Sequence, residues 1–231
     1  MDFRASAHYL ARVSVDPDLA TLIDHTLLRP DAVAAEVDIL CDEARAFGFR
    51  TVCVQPTFVA RAARNLKRSV VGVTAVVGFP HGAITTDAKV FETSRAIGDG
   101  ATEIDMVANL GWIRAENDAA VAEEVARVVT LAATAGAIVK VILEAGLFSD
   151  ERKEAAARAV LAGRAAFVKT STGYGPTGAT VHDVALLRRV VGDVAGVKAS
   201  GGIKTRAQAL ALVAAGANRI GASGSVALIR C

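Results

Sequence analysis

Short apolar runs alternate with longer stretches of helical period along nearly the whole chain. The runs fall at Thr21–Asp24, Thr51–Val54, Val70–Val77, Thr102–Val107, Ala137–Leu143, Ala165–Lys169, Val194–Ala199 and Asn218–Gly221. Rich in Val, Ile and Ala, they suit strands buried on both faces of a parallel sheet. Between them, Val33, Val37, Leu40, Cys41, Ala44 and Phe47 make a stripe at helical spacing, and Val121, Val125, Val128, Val129 and Ala132 make another. Residues 150–162 are dense in Ala, Glu, Lys and Arg, all strong helix formers. Gly48, Gly100, Gly136, Gly163 and Gly216 stand just past such stretches, where helix C-termini favour glycine. The pattern predicts eight strands and eight helices, the last helix short.

Eight βα units in 231 residues point to an α/β fold of the (β/α)8-barrel type, one catalytic domain over residues 1–231 with a short N-terminal extension. An open doubly wound sheet is the alternative. It would carry a glycine-rich turn after its first strand, whereas here the first strand is followed by DHTLLRP, without glycine.

Composition narrows the class. The formal net charge is +2 with acids and bases interspersed, so no basic run suggests a nucleic-acid arm. Cys41, Cys53 and Cys231 are odd in number and lack CxxC spacing, which argues against a disulfide scaffold or a zinc site. The first residues carry early charges and no apolar core, so no signal peptide is expected. The uncharged stretch from Ser69 to Thr86 is broken by Gly78, Pro80 and Gly82 and reads as strand plus loop, not as a membrane span. A soluble cytoplasmic protein is expected.

Barrel chemistry sits at the C-terminal strand ends, and three ionisable residues stand there. Lys169 closes the run AAFVK; burial would favour its neutral amine, the form that attacks carbonyls, although a lysine merely paired with an acid would look the same. Lys198 closes VAGVK one unit later, so the two ammonium groups would share a mouth and one pKa would fall; a phosphate-binding lysine is the alternative. Asp105, in EIDMV, shares a strand face with Glu103 and suits either a proton shuttle or a structural salt bridge, the latter also fitting Glu103. Asp24 could hold a substrate hydroxyl or a loop, and Cys53 could line the pocket or fill the core.

Glycine-rich turns follow the seventh and eighth runs: Ser200, Gly201 and Gly202 after Lys198, and Gly221, Ala222, Ser223 and Gly224 at the end. Barrels commonly cradle a phosphate there on backbone N–H groups beside a short helix. Thr172 and Gly173, just after Lys169, could add contacts.

Taken together, IDHTLLRP (23–30), VCVQP (52–56), VVGFPHGAITTDAKVFE (76–92), EIDMVANLG (103–111), KVILEAG (140–146), FVKTSTGYGPTGAT (167–180), GVKASGGIKT (196–205) and NRIGAS (218–223) resemble the deoxyribose-phosphate aldolase family over nearly the whole chain. The resemblance implies a class I, metal-independent and cofactor-free aldolase. Such an enzyme reversibly cleaves 2-deoxy-D-ribose 5-phosphate to acetaldehyde and D-glyceraldehyde 3-phosphate. It implies Lys169 as the Schiff-base lysine, Lys198 as the lysine that lowers its pKa, and Asp105 as a proton relay. Gly201, Gly202, Gly221 and Ser223 match phosphate-loop positions, and a homo-oligomer, dimer or tetramer, is implied as well. The chain departs from the commoner family pattern in three places. Gly224 follows Ser223 where a second serine is common, Tyr174 replaces a Phe or Lys, and no tyrosine follows Arg230 and Cys231. Two other readings compete: a different Schiff-base sugar-phosphate aldolase, and a non-catalytic sugar-phosphate sensor, which would be expected to lack one of the three charged residues.

Overall fold

The computed structural model describes residues 15–230; the expected N-terminal extension and Cys231 lie largely or wholly outside that span. Eight parallel strands close into a barrel in sequence order: β1 (Ile23–Leu27), β2 (Thr51–Val54), β3 (Gly72–Val77), β4 (Glu103–Val107), β5 (Ile138–Ile142), β6 (Phe167–Lys169), β7 (Gly196–Ser200) and β8 (Arg219–Ala222). β8 pairs with β1 through Ile23 and Ile220 and closes the ring. The expected barrel is borne out, and the open-sheet alternative is excluded.

Ten α-helices occur among the described residues. They are α1 (Pro17–Ala20), α2 (Ala34–Phe47), α3 (Val59–Asn65), α4 (Thr86–Gly98), α5 (Leu110–Arg114), α6 (Asp118–Ala133), α7 (Asp150–Ala162), α8 (Val181–Val191), α9 (Arg206–Ala214) and α10 (Ser225–Ile229). The two beyond the expected eight, α1 and α5, span four and five residues, too short to show a period. The first strand also begins later than the run Thr21–Asp24 suggests. Thr21 caps α1, so its backbone turns back onto the helix before β1 can start. Val70 precedes β3 and is fully exposed. Gly163 follows α7 without the left-handed backbone of a glycine cap; a Cβ there would meet the Val125 side chain at 2.5 Å, so glycine serves close packing against α6.

The strands are buried on both faces, but their two faces differ in chemistry. Ile23, Val52, Val73, Ile104, Val139, Val168, Val197 and Ile220 join the helices in one apolar cluster. Their alternate neighbours on the strands, Asp24, Thr51, Thr74, Glu103, Asp105, Lys140, Lys169, Lys198 and Arg219, are buried and polar. By two-residue alternation the outward faces build the core and the inward faces fill the barrel with charge. This is unusual, because barrel interiors are mostly packed with branched apolar residues.

Candidate active site

Seven charged side chains share the barrel interior. Asp105 on β4 is their hub: its Oδ2 accepts from Lys169 Nζ and from Lys198 Nζ, each at 2.7 Å, and its Oδ1 accepts from Lys140 Nζ at 2.8 Å. The two amines on one oxygen therefore lie no further apart than twice that distance. Lys198 also donates to Asp24, which accepts from Arg219 at 2.6 Å and from Thr51 at 2.8 Å. Glu103 pairs with Lys140 at 2.5 Å and with Arg219 at 2.8 Å. The Arg219 guanidinium lies 5.4 Å from the Phe167 ring centroid, and Gly196 opposite leaves room for that ring, since a Cβ there would come within 2.2 Å of it.

The balance of charge bears on the chemistry. Four bases, Lys140, Lys169, Lys198 and Arg219, face three acids, Asp24, Glu103 and Asp105. If every group ionised, one positive charge would stand unmatched in a buried space, which is expensive. Of the three lysines, Lys169 is the one whose pKa falls. Burial pulls its pKa below the usual lysine value, Lys198 adds to the fall, and Asp105 only partly opposes it. Lys198 goes the other way: burial would lower its pKa, but Asp105 and Asp24 together outweigh that and hold it charged. Both acids remain ionised despite burial. Lys198, Lys140 and Arg219 hold Asp24 at about 2, and Lys140, Lys169 and Lys198 hold Asp105 well below the carboxylate range.

Lys169 stands where this charged interior meets a cavity of about 330 Å³ at the C-terminal mouth. Thr172, Gly173, Gly201, Gly202, Gly221 and Ser223, singled out in the sequence, all line it. Gly201 and Gly202 have φ of +85° and +73°, a left-handed pair that side-chain-bearing residues rarely adopt. The N–H groups of Gly201, Gly202 and Ser223 donate to no backbone carbonyl among the described residues. Asp24 and Cys53 do not line the cavity wall. Asp24 is wholly buried beneath it, its oxygens taken by Lys198, Arg219 and Thr51, so its position is inside the ionic network and not at the mouth. Cys53 packs with Leu28 and Val76, and burial raises its thiol to about 11.

Several residues of this site escaped the sequence reading. Lys140 completes the grip on Asp105 and betrays itself only as a lysine amid IVKVI. Arg219 gives the same signal in NRIG. Arg29 and Lys204 also line the cavity, Lys204 two residues beyond the glycine pair, beside Ser200 of the expected phosphate turn. Outside the barrel, a buried pair steadies the β4 exit: Lys89 on α4 bonds Glu124 on α6 at 2.8 Å and the Val107 carbonyl at 2.8 Å. Glu124 in turn accepts from the Asn109 N–H at 3.1 Å. Among the described residues one group has the spacing of a metal site, Asp150, His182 and Asp183. Lys153 already donates to both carboxylates, at 3.0 and 2.7 Å, so a cation would have to displace an ammonium.

A family model described as DeoC/LacD family aldolase matches residues 19–230. The chain belongs to the DeoC/LacD aldolase family. It is 49% identical over 212 residues to deoxyribose-phosphate aldolase 1 of Bacillus licheniformis, covering 92% of this chain and 95% of that one. It is 48% identical to the deoxyribose-phosphate aldolase of Bacillus subtilis over 213 residues, again 92% and 95%. Among solved structures, a deoxyribose-phosphate aldolase from Aeropyrum pernix, described as a unique tetramer, superimposes with a TM-score of 0.87 at 35% identity, covering 99% and 97%. This aldolase is therefore an enzyme of the carbon–carbon lyase class. No helix among its described residues is long and apolar enough to cross a membrane.

Proposed function

We propose that the protein is a class I deoxyribose-phosphate aldolase, reversibly cleaving 2-deoxy-D-ribose 5-phosphate into acetaldehyde and D-glyceraldehyde 3-phosphate, with the barrel over 19–230 as its single catalytic unit. The observation that carries this reading is the shared Asp105 oxygen, with a lysine of lowered pKa on one side and a firmly charged lysine on the other. It supports nucleophilic catalysis at Lys169, because a neutral amine is the form that adds to an aldehyde. Relatives named for this substrate, at close to half identity over nearly all of both chains, support the choice of sugar.

The proposed reaction runs as follows from the positions of these residues. Lys169 adds to the C1 aldehyde of the open-chain sugar, and loss of water leaves a protonated imine. The C3 hydroxyl gives up its proton through a water to Asp105, the C2–C3 bond breaks, and its electron pair flows into the imine to form an enamine. Glyceraldehyde phosphate leaves. The enamine takes a proton at C2, and hydrolysis of the resulting imine returns the amine and acetaldehyde. Asp105, ionised and touching both lysines, passes protons between them, and charged Lys198 serves as donor. The phosphate rests on the turns at Gly201–Gly202 and Gly221–Ser223, with Lys204 and Arg29 supplying positive charge at the rim. Thr172 and Gly173 close the cavity beside Lys169. Asp24 contributes by holding Lys198, and Cys53 by filling the space beneath the cavity. A cytoplasmic homo-oligomer goes with this reading, supported by the free, buried Cys41 and Cys53 and by the tetramer reported for the Aeropyrum relative.

Borohydride reduction in the presence of 2-deoxyribose 5-phosphate, followed by peptide mass analysis, tests the proposal. An adduct on Lys169, absent in Lys169→Leu, is expected. Wild-type turnover by Lys169→Leu would overturn the assignment. Tight binding of the sugar without an adduct would favour the sensor reading, and adducts with ketose phosphates alone would favour a different aldolase.

A further inference from the structure

The segment that follows Lys169 is tied down by a polar chain that none of the steps above employs. It begins at Glu144, in the loop after β5. Glu144 is buried, and its carboxylate accepts from the Thr172 N–H at 3.2 Å and from the Thr172 hydroxyl. The Thr172 Oγ1 accepts from the Tyr174 N–H at 3.0 Å. The Tyr174 hydroxyl then donates to the Leu28 carbonyl at 2.9 Å, in the loop after β1, while its ring stands edge-on to Phe79 at 5.5 Å. The chain thus runs from the exit of β5, past β6, to the exit of β1.

Two further facts suggest that the Glu144 side chain has a purpose. Its φ is +52°, a left-handed conformation that costs a non-glycine residue and persists only where the surroundings over-determine it. If the turn alone mattered, glycine would serve better. And the segment it holds packs on the turn assigned to phosphate: a Cβ at Gly178 would strike the Gly201 carbonyl at 2.1 Å, and one at Gly201 would lie 3.3 Å from the Gly173 Cα. The Lys169 amine, by contrast, is set by Asp105 and Lys198, which stand on other strands.

We propose that Glu144 is a positioning residue that, through Thr172 and Tyr174, sets the height of the phosphate turn at Gly201–Gly202 without tuning Lys169, so that the grip on a phosphorylated substrate depends on it and imine formation does not. This rests on the aldolase reading given above. Its signature is a selective one. Glu144→Gln keeps the shape and one acceptor oxygen but removes the negative charge that the two Thr172 donors face; Glu144→Gly removes the contact altogether and relieves the backbone.

The experiment compares wild type, Glu144→Gln, Glu144→Gly and Tyr174→Phe. KM and kcat are measured with 2-deoxyribose 5-phosphate and with unphosphorylated 2-deoxyribose, together with the pH dependence of borohydride trapping by acetaldehyde. Expected for both Glu144 variants is a KM for the phosphorylated sugar raised about tenfold, as for loss of one charge-assisted contact. Their kcat/KM for deoxyribose and their trapping profile should match wild type. Tyr174→Phe, which removes one hydroxyl at a half-exposed ring, should show a smaller rise of the same kind. An unchanged KM in both Glu144 variants, an equal loss on both sugars, or a shifted trapping profile would each overturn the proposal. Absence of trapping in wild type would instead strike the aldolase reading itself.

Discussion

Replacing Lys198 by Met removes a charge while keeping most of the volume, and the structure sets how far the nucleophile should respond. Lys169 and Lys198 contact the same Asp105 oxygen at 2.7 Å each. Two unit charges about 5 Å apart at an effective dielectric of about 20 repel by about 3 kcal/mol, equivalent to about two pKa units. The substitution also leaves Asp105 with one competitor fewer, which pushes in the same direction. The interior keeps its balance: Asp24 retains Arg219 and Thr51, and Asp105 retains Lys140 and Lys169. Three bases then face three acids, and the cheapest state has Lys169 charged. The acidic limb of the pH profile for acetaldehyde trapping should therefore move upward by about one to two units, the lower figure allowing for relaxation around the lost charge. Loss of Lys198 as a proton donor lowers the height of the trapping profile, whereas the position of its acidic limb reads the Lys169 pKa. A limb in its wild-type position would refute the reasoning. Burial alone would then account for the nucleophile, and Lys198 would serve proton transfer only.

Two other consequences concern stability. Lys140→Met leaves Glu103 and one Asp105 oxygen without their closest partner inside the barrel, and such losses cost about 3–5 kcal/mol; the urea midpoint should fall accordingly, and an unchanged midpoint would remove Lys140 from the network. Acid should act through Asp24, held at about 2 against an ordinary 3.8: below its ordinary value the unfolded chain takes up the proton and the folded one does not, so the stability from this site is complete above about pH 4 and is lost as pH falls towards 2. Urea unfolding at pH 6, 4 and 3 should give a plateau followed by a fall, and equal stabilities at pH 4 and 3 would contradict it.

The barrel was legible because its two periods stay distinct, short runs for strands and 3.6-residue stripes for helices. What blurred was the frame at element ends. Thr21 and Leu22 read as strand from their neighbours, yet Thr21 belongs to the cap of a four-residue helix that no periodicity could reveal. Lys169, Lys198 and Asp105 were legible for a different reason: each is a charge inside an apolar run, and burial makes such a residue demand a partner or a purpose. Lys140 and Arg219 meet the same criterion, but they reach the network from the middle and the start of their strands, away from the C-terminal ends where barrel chemistry is expected. Glu144 gave no such signal. It stands in a loop, where a carboxylate is ordinary, and its meaning lies in a positive φ and in contacts with residues 28 positions away.

The outward half of each strand satisfies the rule that parallel strands are apolar, and it satisfies it so fully that the runs look continuous. The inward half breaks the rule at Asp24, Glu103, Asp105, Lys140, Lys169, Lys198 and Arg219. Folding can bear those exceptions because they neutralise one another almost completely. The single unmatched positive charge favours loss of a proton from one lysine, and the neutral form is the one that adds to a carbonyl. The feature that most weakens the interior as a hydrophobic core is therefore the same feature that would prepare Lys169 for the proposed imine chemistry.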